Sequence, residues 1–371
     1  MRESLKYDIA LRLLPDIGVV GARMLLDTFG SAEKFFSSSA SEIASATTLS
    51  PASITKILSG KEDALRRAEK EQEFVDKHHL HVWTWTDEDY PEQLRFMHDA
   101  PTLLYGKGNI SLQGHILSVV GTRSCSDRGR QICHDLVSGL AQRIPDLTIV
   151  SGLAYGIDVA SHKAAIEAGL QTIAVTAHGL DRIYPASHRQ TAVQMLEHGG
   201  VITEYMTGTE PERQNFVERN RIVAGLAEAV LVVESKAKGG SLITADLAFN
   251  YGRDVLAVPG RPSDVLSEGC NNLIRRNVAT LVTSADDIIE TLGWEEQHQP
   301  VQTSLDKQFF ADLNEEESKL MQILREHEDG VLANTIVEET EMPFASVSAL
   351  LFQLELKGLV RTLPGGQYRA T

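Results

Sequence analysis

Between Ile116 and Trp294 the chain repeats one pattern: an apolar run, a glycine-containing corner, then a helical stretch. The runs are ILSVV (116–120), LTIV (147–150), TIAVT (172–176), VIT (201–203), AVLVV (229–233), VLAV (255–258) and TLV (280–282). They are continuous rather than alternating, so each strand is buried on both faces, and the helical stretches between them require parallel crossovers. The fold class that follows is α/β, an extended Rossmann-like, doubly wound parallel sheet. Sheets of this kind hold ligands at the carboxyl ends of their strands, beside the point where strand order reverses.

The corners therefore carry the chemistry. In VVGTRSCSDRGR, Gly121 closes the first strand, Thr122 to Asp127 make a loop and a helix is expected from Arg130, its N–H groups and positive dipole end aimed at an anion. The corner lacks the GxxxxGK[ST] of a Walker A loop and the GxGxxG of a dinucleotide loop. The second strand runs into Ser151-Gly152, with no acid for a ribose hydroxyl. These absences count against ATP and NAD, and no cofactor is expected. In SGLAYGIDVASH, Gly152 and Gly156 let backbone approach a ligand, and Asp158 is a candidate helix cap. RNRIVAGLA brings Arg219 and Arg221 ahead of a strand, KAKGGSLITA brings Lys236 and Lys238 before a glycine pair with Ser241 opening a helix, and GCNNLIRR follows the sixth strand. Several cations and exposed N–H groups on one sheet edge describe a phosphate-lined groove rather than a single-phosphate pocket. Tyr155 and Phe216 are candidate base-stacking side chains.

Residues 1–70 are expected to form a small helical, helix-hairpin-helix or SAM-like domain, with apolar residues at helical spacing around Leu13 and Leu25. In its turn LLPDIGVVGAR, Asp16 stands where the usual pattern has glycine, and a carboxylate repels phosphate, so the turn reads as packing rather than as a DNA contact. Residues 71–296 are expected to form the extended Rossmann-like domain that carries these corners, entered through HVWTWT, where Val82, Trp83 and Trp85 indicate a strand and both tryptophans read as core. A polar linker over 297–310 leads to a winged-helix domain, 311–371, with helices over 313–328 and 344–357 and a hairpin turned at Pro364-Gly365-Gly366. Residues 301–371 carry 12 acidic against 6 basic side chains, and the helix that would enter a groove offers only Lys357, so a packing or protein-contact role is expected there.

The net charge of −16 does not decide against nucleic acid, because a local positive cleft attracts phosphates from an acidic background. Cys125, Cys133 and Cys270 are too few and too scattered for a disulfide framework or a zinc site, and no metal is expected. With neither a membrane-spanning apolar run nor an uninterrupted apolar core near the start, the expected location is cytoplasmic, with no membrane partner.

In this order, SVVGTR, SGLAYGIDVASHKAAI, GLDRIYP, RNRIVAGL, GGSLITADLAFNYGRDVLAVPG and GCNNLI resemble the DNA-processing protein A family, also called DprA or Smf. The likeness runs from about residue 90 to 294 and extends to the helical N-terminus and the winged-helix tail. It implies a cytosolic single-stranded-DNA binder that forms a homodimer and loads the RecA recombinase onto incoming DNA in natural transformation. Carried over by position, the family's groove falls on Gly121, Arg123 and Ser124, on Arg219, Asn220 and Arg221, on Lys238, Gly240 and Ser241, and on Asn271. The sequence departs from the family at Val217, where proline is common, and at Asp16. The competing reading is a nucleotide-hydrolysing enzyme of the lysine-decarboxylase-like Rossmann group, drawing on Glu204, Glu234, His162, His178 and His188. These form no pair or triad at fixed spacing, and Glu234 lacks that group's PGGxGT loop, so no catalytic residue is assigned.

Overall fold

The computed structural model describes residues 4–294, 313–327, 330–340, 342–356, 359–363 and 367–370. Two compact units are present, Met1–Gln297 and His298–Thr371.

In the first unit, five helices precede the sheet: α1 (Leu5–Leu11), α2 (Val19–Phe29), α3 (Ala32–Ser37), α4 (Ala40–Ala46) and α5 (Pro51–His78). Their boundaries follow from capping: Ser31, Ser39 and Ser50 each accept from a first-turn N–H, Glu42 completes a capping box with Ser39, and Pro51 opens α5. Helix α5 runs eight residues past residue 70 and ends in a left-handed His79. The turn between α1 and α2 keeps its geometry without the usual glycine because Asp16 itself takes the left-handed conformation (φ 60°), which Asp tolerates better than most residues. The Asp16 carboxylate is paired with Lys56 Nζ at 2.7 Å. The helices bury Ile9, Leu25, Phe35, Ile43 and Ile57 in one core that also takes in Leu103 and Tyr105 from the edge of the sheet.

Among the described residues the sheet has nine strands in the order β1-β2-β6-β5-β4-β3-β7-β8-β9. They are β1 (His81–Thr84), β2 (Leu103–Asn109), β3 (Ile116–Val120), β4 (Thr148–Ser151), β5 (Gln171–Val175), β6 (Gly199–Thr203), β7 (Ala229–Val232), β8 (Asp254–Ala257) and β9 (Thr280–Leu281). All seven expected strands are present and mutually parallel, displaced by at most two residues at an end. The antiparallel pair β1 and β2, with the short helix α6 (Glu92–Arg95) between them, extends the sheet beyond β6. Of these, β2 carries no clear signal in the sequence because Gly106 and Gly108 interrupt it. Gly108 (φ 126°) is required by contact: a Cβ there would sit 2.2 Å from Gly199 O. Trp83 is buried and Trp85 packs on the same core, as expected of both.

Strand alternation sorts the two helical layers. Leu117 and Val119 face α7 (Asp127–Ala141), α8 (Ile157–Glu167) and α13 (Ala285–Leu292) through Leu136, Leu140, Ala164 and Ile288. Ile116 and Val120 face α10 (Arg213–Leu226), α11 (Gly240–Asn250) and α12 (Glu268–Arg275) through Ile222, Ala245 and Leu273. Helix α9 (Arg189–Met195) packs Ala192 and Met195 against Leu153 and Val201. Strand order reverses between β3 and β7, so the switch point lies between the GTRS and KGGS corners. No helix among the described residues is long and apolar enough to cross a membrane.

The second unit holds α14 (Glu315–Glu326), β10 (Val331–Leu332), α15 (Ala333–Thr340), α16 (Phe344–Leu356), β11 (Val360–Leu363) and β12 (Gln367–Ala370), with its strands in the order β10-β12-β11. Asn314 and Glu317 form a capping box, and Leu320, Leu324, Ile336, Val347, Leu351 and Val360 make the core. This is a winged helix. The expected linker, Lys357 and the Pro364-Gly365-Gly366 turn lie outside the described residues.

Candidate nucleic-acid interface

At the switch point the corners after β3, β4 and β7 and one face of α10 enclose an open cleft of about 680 Å³. The β3 corner is rigid for a reason that lies 108 residues away in sequence. The Glu234 side chain accepts hydrogen bonds from Ser126 N at 2.9 Å and Ser126 Oγ at 2.5 Å, while Glu234 O accepts from Thr122 N at 2.7 Å. Ser126 caps α7 by accepting from Gly129 N, and a Cβ on Gly129 would fall 2.3 Å from the Glu234 carboxyl carbon. Helix α7 thus begins at Asp127, three residues earlier than expected, and its N-terminus is occupied by the protein's own carboxylate rather than left for a phosphate. The β4 corner locks onto this loop: Gly156 (φ 80°) N-caps α8, and a Cβ there would meet Thr122 O at 2.1 Å. Asp158 is therefore not the cap. It is buried in the first turn of α8, and burial raises its pKa against the opposing pull of Arg219.

The cleft brings together Gly121, Arg123, Gly152, Arg219, Asn220, Lys238, Gly240 and Ser241. Arg123 and Lys238 are exposed, and the Arg123 guanidinium lies 5.4 Å from the Phe216 ring centroid. Gly240 is the first residue of α11, and among the described residues nothing lies within 4 Å of where its Cβ would be. Packing does not require glycine there, and the open helix N-terminus is available to an anion. Ser241 is buried and donates to Ser235 Oγ at 2.9 Å, so its hydroxyl holds the loop.

Three expected residues lie elsewhere. Ser124 is exposed beside the cleft, its N–H donating to Thr122 Oγ1. Asn271 clamps Gly260, donating to its carbonyl at 3.0 Å and accepting from its N–H at 3.1 Å. Arg221 turns away from the cleft: its Nη2 donates to Glu204 Oε2 at 2.5 Å, and Arg12, the C-cap of α1, lies 3.5 Å from the same oxygen. The expectation that Arg219 and Arg221 act as a matched phosphate pair does not fit this arrangement. Arg219 lies on the floor of the cleft, 3% exposed, with Nη1 donating to Val175 O at 2.6 Å and Nε unpartnered among the described residues. Burial lowers its pKa, and Asp158 opposes that shift. Gly152 is glycine because Arg219 passes over it, 2.0 Å from a Cβ position. Two further cations line the cleft: Lys236, expected beside Lys238 in its corner though outside the carried-over groove, and Arg213, which was not in the expected set. The signal for Arg213 is helical spacing, since Arg213, Phe216, Val217 and Asn220 (i, i+3, i+4, i+7) share one face of α10.

The family described as DNA recombination-mediator protein A matches residues 81–293, and the DprA winged helix domain matches residues 310–366. The chain belongs to the DNA recombination-mediator protein A family. Among relatives, the DNA processing protein DprA of Streptococcus pneumoniae is 44% identical over 204 residues, 55% of this chain and 71% of that protein. Protein Smf of Synechocystis is 36% identical over 314 residues, 76% of this chain and 78% of that protein. The X-ray structure of the pneumococcal DprA superposes with a TM-score of 0.66 at 35% identity, covering 77% of this chain and 97% of that one. A Helicobacter pylori DprA structure, described as showing a single-stranded DNA binding mode, gives a TM-score of 0.52 at 27% identity over 57% of this chain and 95% of that one.

In this member of the DprA family, the groups a nucleotide-hydrolysing enzyme would draw on are already engaged. Glu234 ties the β3 corner and Glu204 is buried between two arginines. His162 is fully buried against Thr172 Oγ1 at 2.7 Å, and burial drives its pKa down to about 3, so it is neutral. His178 bridges Gly179 O and Tyr184 N, and His188 donates to Leu153 O.

Proposed function

We propose that this chain binds single-stranded DNA in the cleft at the switch point and acts as a recombination mediator that loads RecA onto incoming DNA during natural transformation. The observation that carries the reading is the cleft itself. Arg123, Arg213, Lys236 and Lys238 surround an open helix N-terminus, with Phe216 beside them and neither a Walker lysine nor a ribose-binding acid present. A cationic groove with an aromatic surface suits an unpaired strand, whose phosphates and base faces are both reachable. The Helicobacter relative supports the choice of ligand, and the family likeness supports RecA as partner, a homodimer as the working form and the cytoplasm as its place. The chain works as a binder rather than a catalyst, which the engagement of Glu204 and Glu234 supports.

The test is a titration of single- and double-stranded oligonucleotides at two salt concentrations. Preferential, salt-weakened binding of the single strand is expected. Equal or salt-insensitive binding sinks the reading. RecA-dependent ATP hydrolysis on single strands, with and without this protein, tests the loading step, and release of free base from nucleoside monophosphates would establish the enzyme instead.

A further inference from the structure

The cleft has an apolar margin that phosphate binding does not use. Phe216 lines it, and its ring centroid lies 5.8 Å from that of Tyr184, which stands outside the cleft and is 46% exposed. On the neighbouring corner Tyr155 is 49% exposed. Its hydroxyl shares a hydrogen bond with Ser187 at 3.3 Å and its ring meets the edge of His188 at 4.9 Å. Within the cleft Val217 and Ile243 are also exposed. Exposed rings in a row, continuous with a cationic groove, leave apolar area in water that only an apolar partner would cover.

The row is held in place from beneath. His178, which burial keeps neutral, donates from Nδ1 to Gly179 O at 2.9 Å and accepts Tyr184 N on Nε2 at 3.2 Å. His188 fixes the other end of the segment through Leu153 O at 2.9 Å. Rings set on a braced segment lose little freedom when a flat ligand lands on them, which is the condition for a stacking platform.

We propose that Tyr184, and beyond it Tyr155, form a base-stacking track that continues the DNA path out of the cleft from Phe216 across the segment 184–188. The ligand class is the unpaired base of a single strand, read by its π-face and not by its edge. The proposal rests on the single-strand reading of the cleft and adds direction and length to it: phosphates are held by Arg123 and Lys238, and the bases that follow lie over Tyr184 and Tyr155.

The experiment titrates the full chain and its variants with an oligodeoxyadenylate and with a strand of equal length lacking bases. Tyr184→Ala is expected to weaken the base-bearing strand about tenfold, with the salt slope unchanged and the abasic strand unaffected. Tyr184→Phe retains wild-type affinity, and Tyr155→Ala repeats the pattern with a smaller loss. A 2-aminopurine placed in the strand is quenched by the wild type and recovers fluorescence with Tyr184→Ala. Unchanged affinity of Tyr184→Ala for the base-bearing strand, or equal weakening of both strands, overturns the track while leaving the cleft reading intact. Failure of the wild type to bind either strand in a salt-sensitive way removes the cleft reading itself. Thermal melting of Tyr184→Ala separates loss of fold from loss of stacking.

Discussion

Two helices leave the sheet at its switch point, α7 after β3 and α11 after β7, and their N-termini meet opposite fates. At α7 the Gly129 N–H is taken by the Ser126 side chain, and that capping residue is held in turn by the Glu234 carboxylate. At α11 the helix opens at Gly240 with empty space where a side chain would be, and Lys236 and Lys238 stand just before it. The same dipole therefore acts inward in one helix and outward in the other. A carboxylate from the loop between β7 and α11 fixes the α7 corner, so the closed terminus braces the loop carrying Arg123, and the open one faces the cleft.

The largest expected effect breaks the closed side. Glu234→Ala leaves Ser126 N and Oγ without their acceptor in a half-buried site, a loss of about 2–3 kcal/mol in stability, seen as a lower midpoint in urea. A midpoint within error of wild type would mean that the α7 terminus is not closed by this carboxylate. Next in size, Lys238→Ala and Arg123→Ala each weaken single-strand binding by about 1–3 kcal/mol and reduce the salt slope by about one ion. Unchanged affinity in both would remove the open side from the DNA path.

How much of this was readable from the chain follows from how far apart in sequence the interacting groups lie. The parallel strands were legible because runs such as ILSVV and AVLVV are apolar without alternation, whereas LLYGKGN hid β2 behind Gly106, which the Trp83 ring demands, and Gly108, which the approach of Gly199 demands. Arg123 and Lys238 were legible because a corner after a parallel strand has one side on which to place a cation. RNR was not, because it lies within α10, where Arg219 and Arg221 are two residues and about 200° apart. One reaches the cleft floor and the other reaches Glu204 beneath the N-terminal helices, a division that adjacency in sequence conceals. The same geometry hid Arg213, whose place beside Phe216 and Asn220 appears only once α10 is drawn as a helix. Glu234 gave no sign of its role, since the loop it braces lies 108 residues earlier.

A smaller effect sharpens the contrast at α11. Gly240→Ala introduces one methyl group into open space at a helical residue, so stability should stay within about 0.5 kcal/mol. The methyl stands between the backbone N–H groups and the ligand, and affinity should fall by about 1 kcal/mol, the worth of a hydrogen bond made poorly. Gly18→Ala is the control: Gly18 N-caps α2, a helix of 11 residues, and among the described residues it too has nothing within 4 Å of its Cβ position. DNA affinity should be unchanged there, as measured in the same titration.

The smallest effect concerns α2, whose terminus is equally open but lies outside the proposed DNA path. The difference is charge: Arg123, Arg213, Lys236 and Lys238 line the cleft at the α11 terminus, whereas Asp16 stands two residues before Gly18 and is paired with Lys56 at 2.7 Å, an exposed pair worth about 0–1 kcal/mol. Asp16→Gly retains the left-handed turn (φ 60° in the native chain) and removes the carboxylate, so DNA affinity should stay at the wild-type value and stability should shift by less than about 1 kcal/mol. If Asp16→Gly instead tightens single-strand binding and adds an ion to the salt slope, an open helix terminus would suffice without a ring of cations. The contrast between α7 and α11 would then rest on which terminus is uncapped, and the lysines would matter only through their general field.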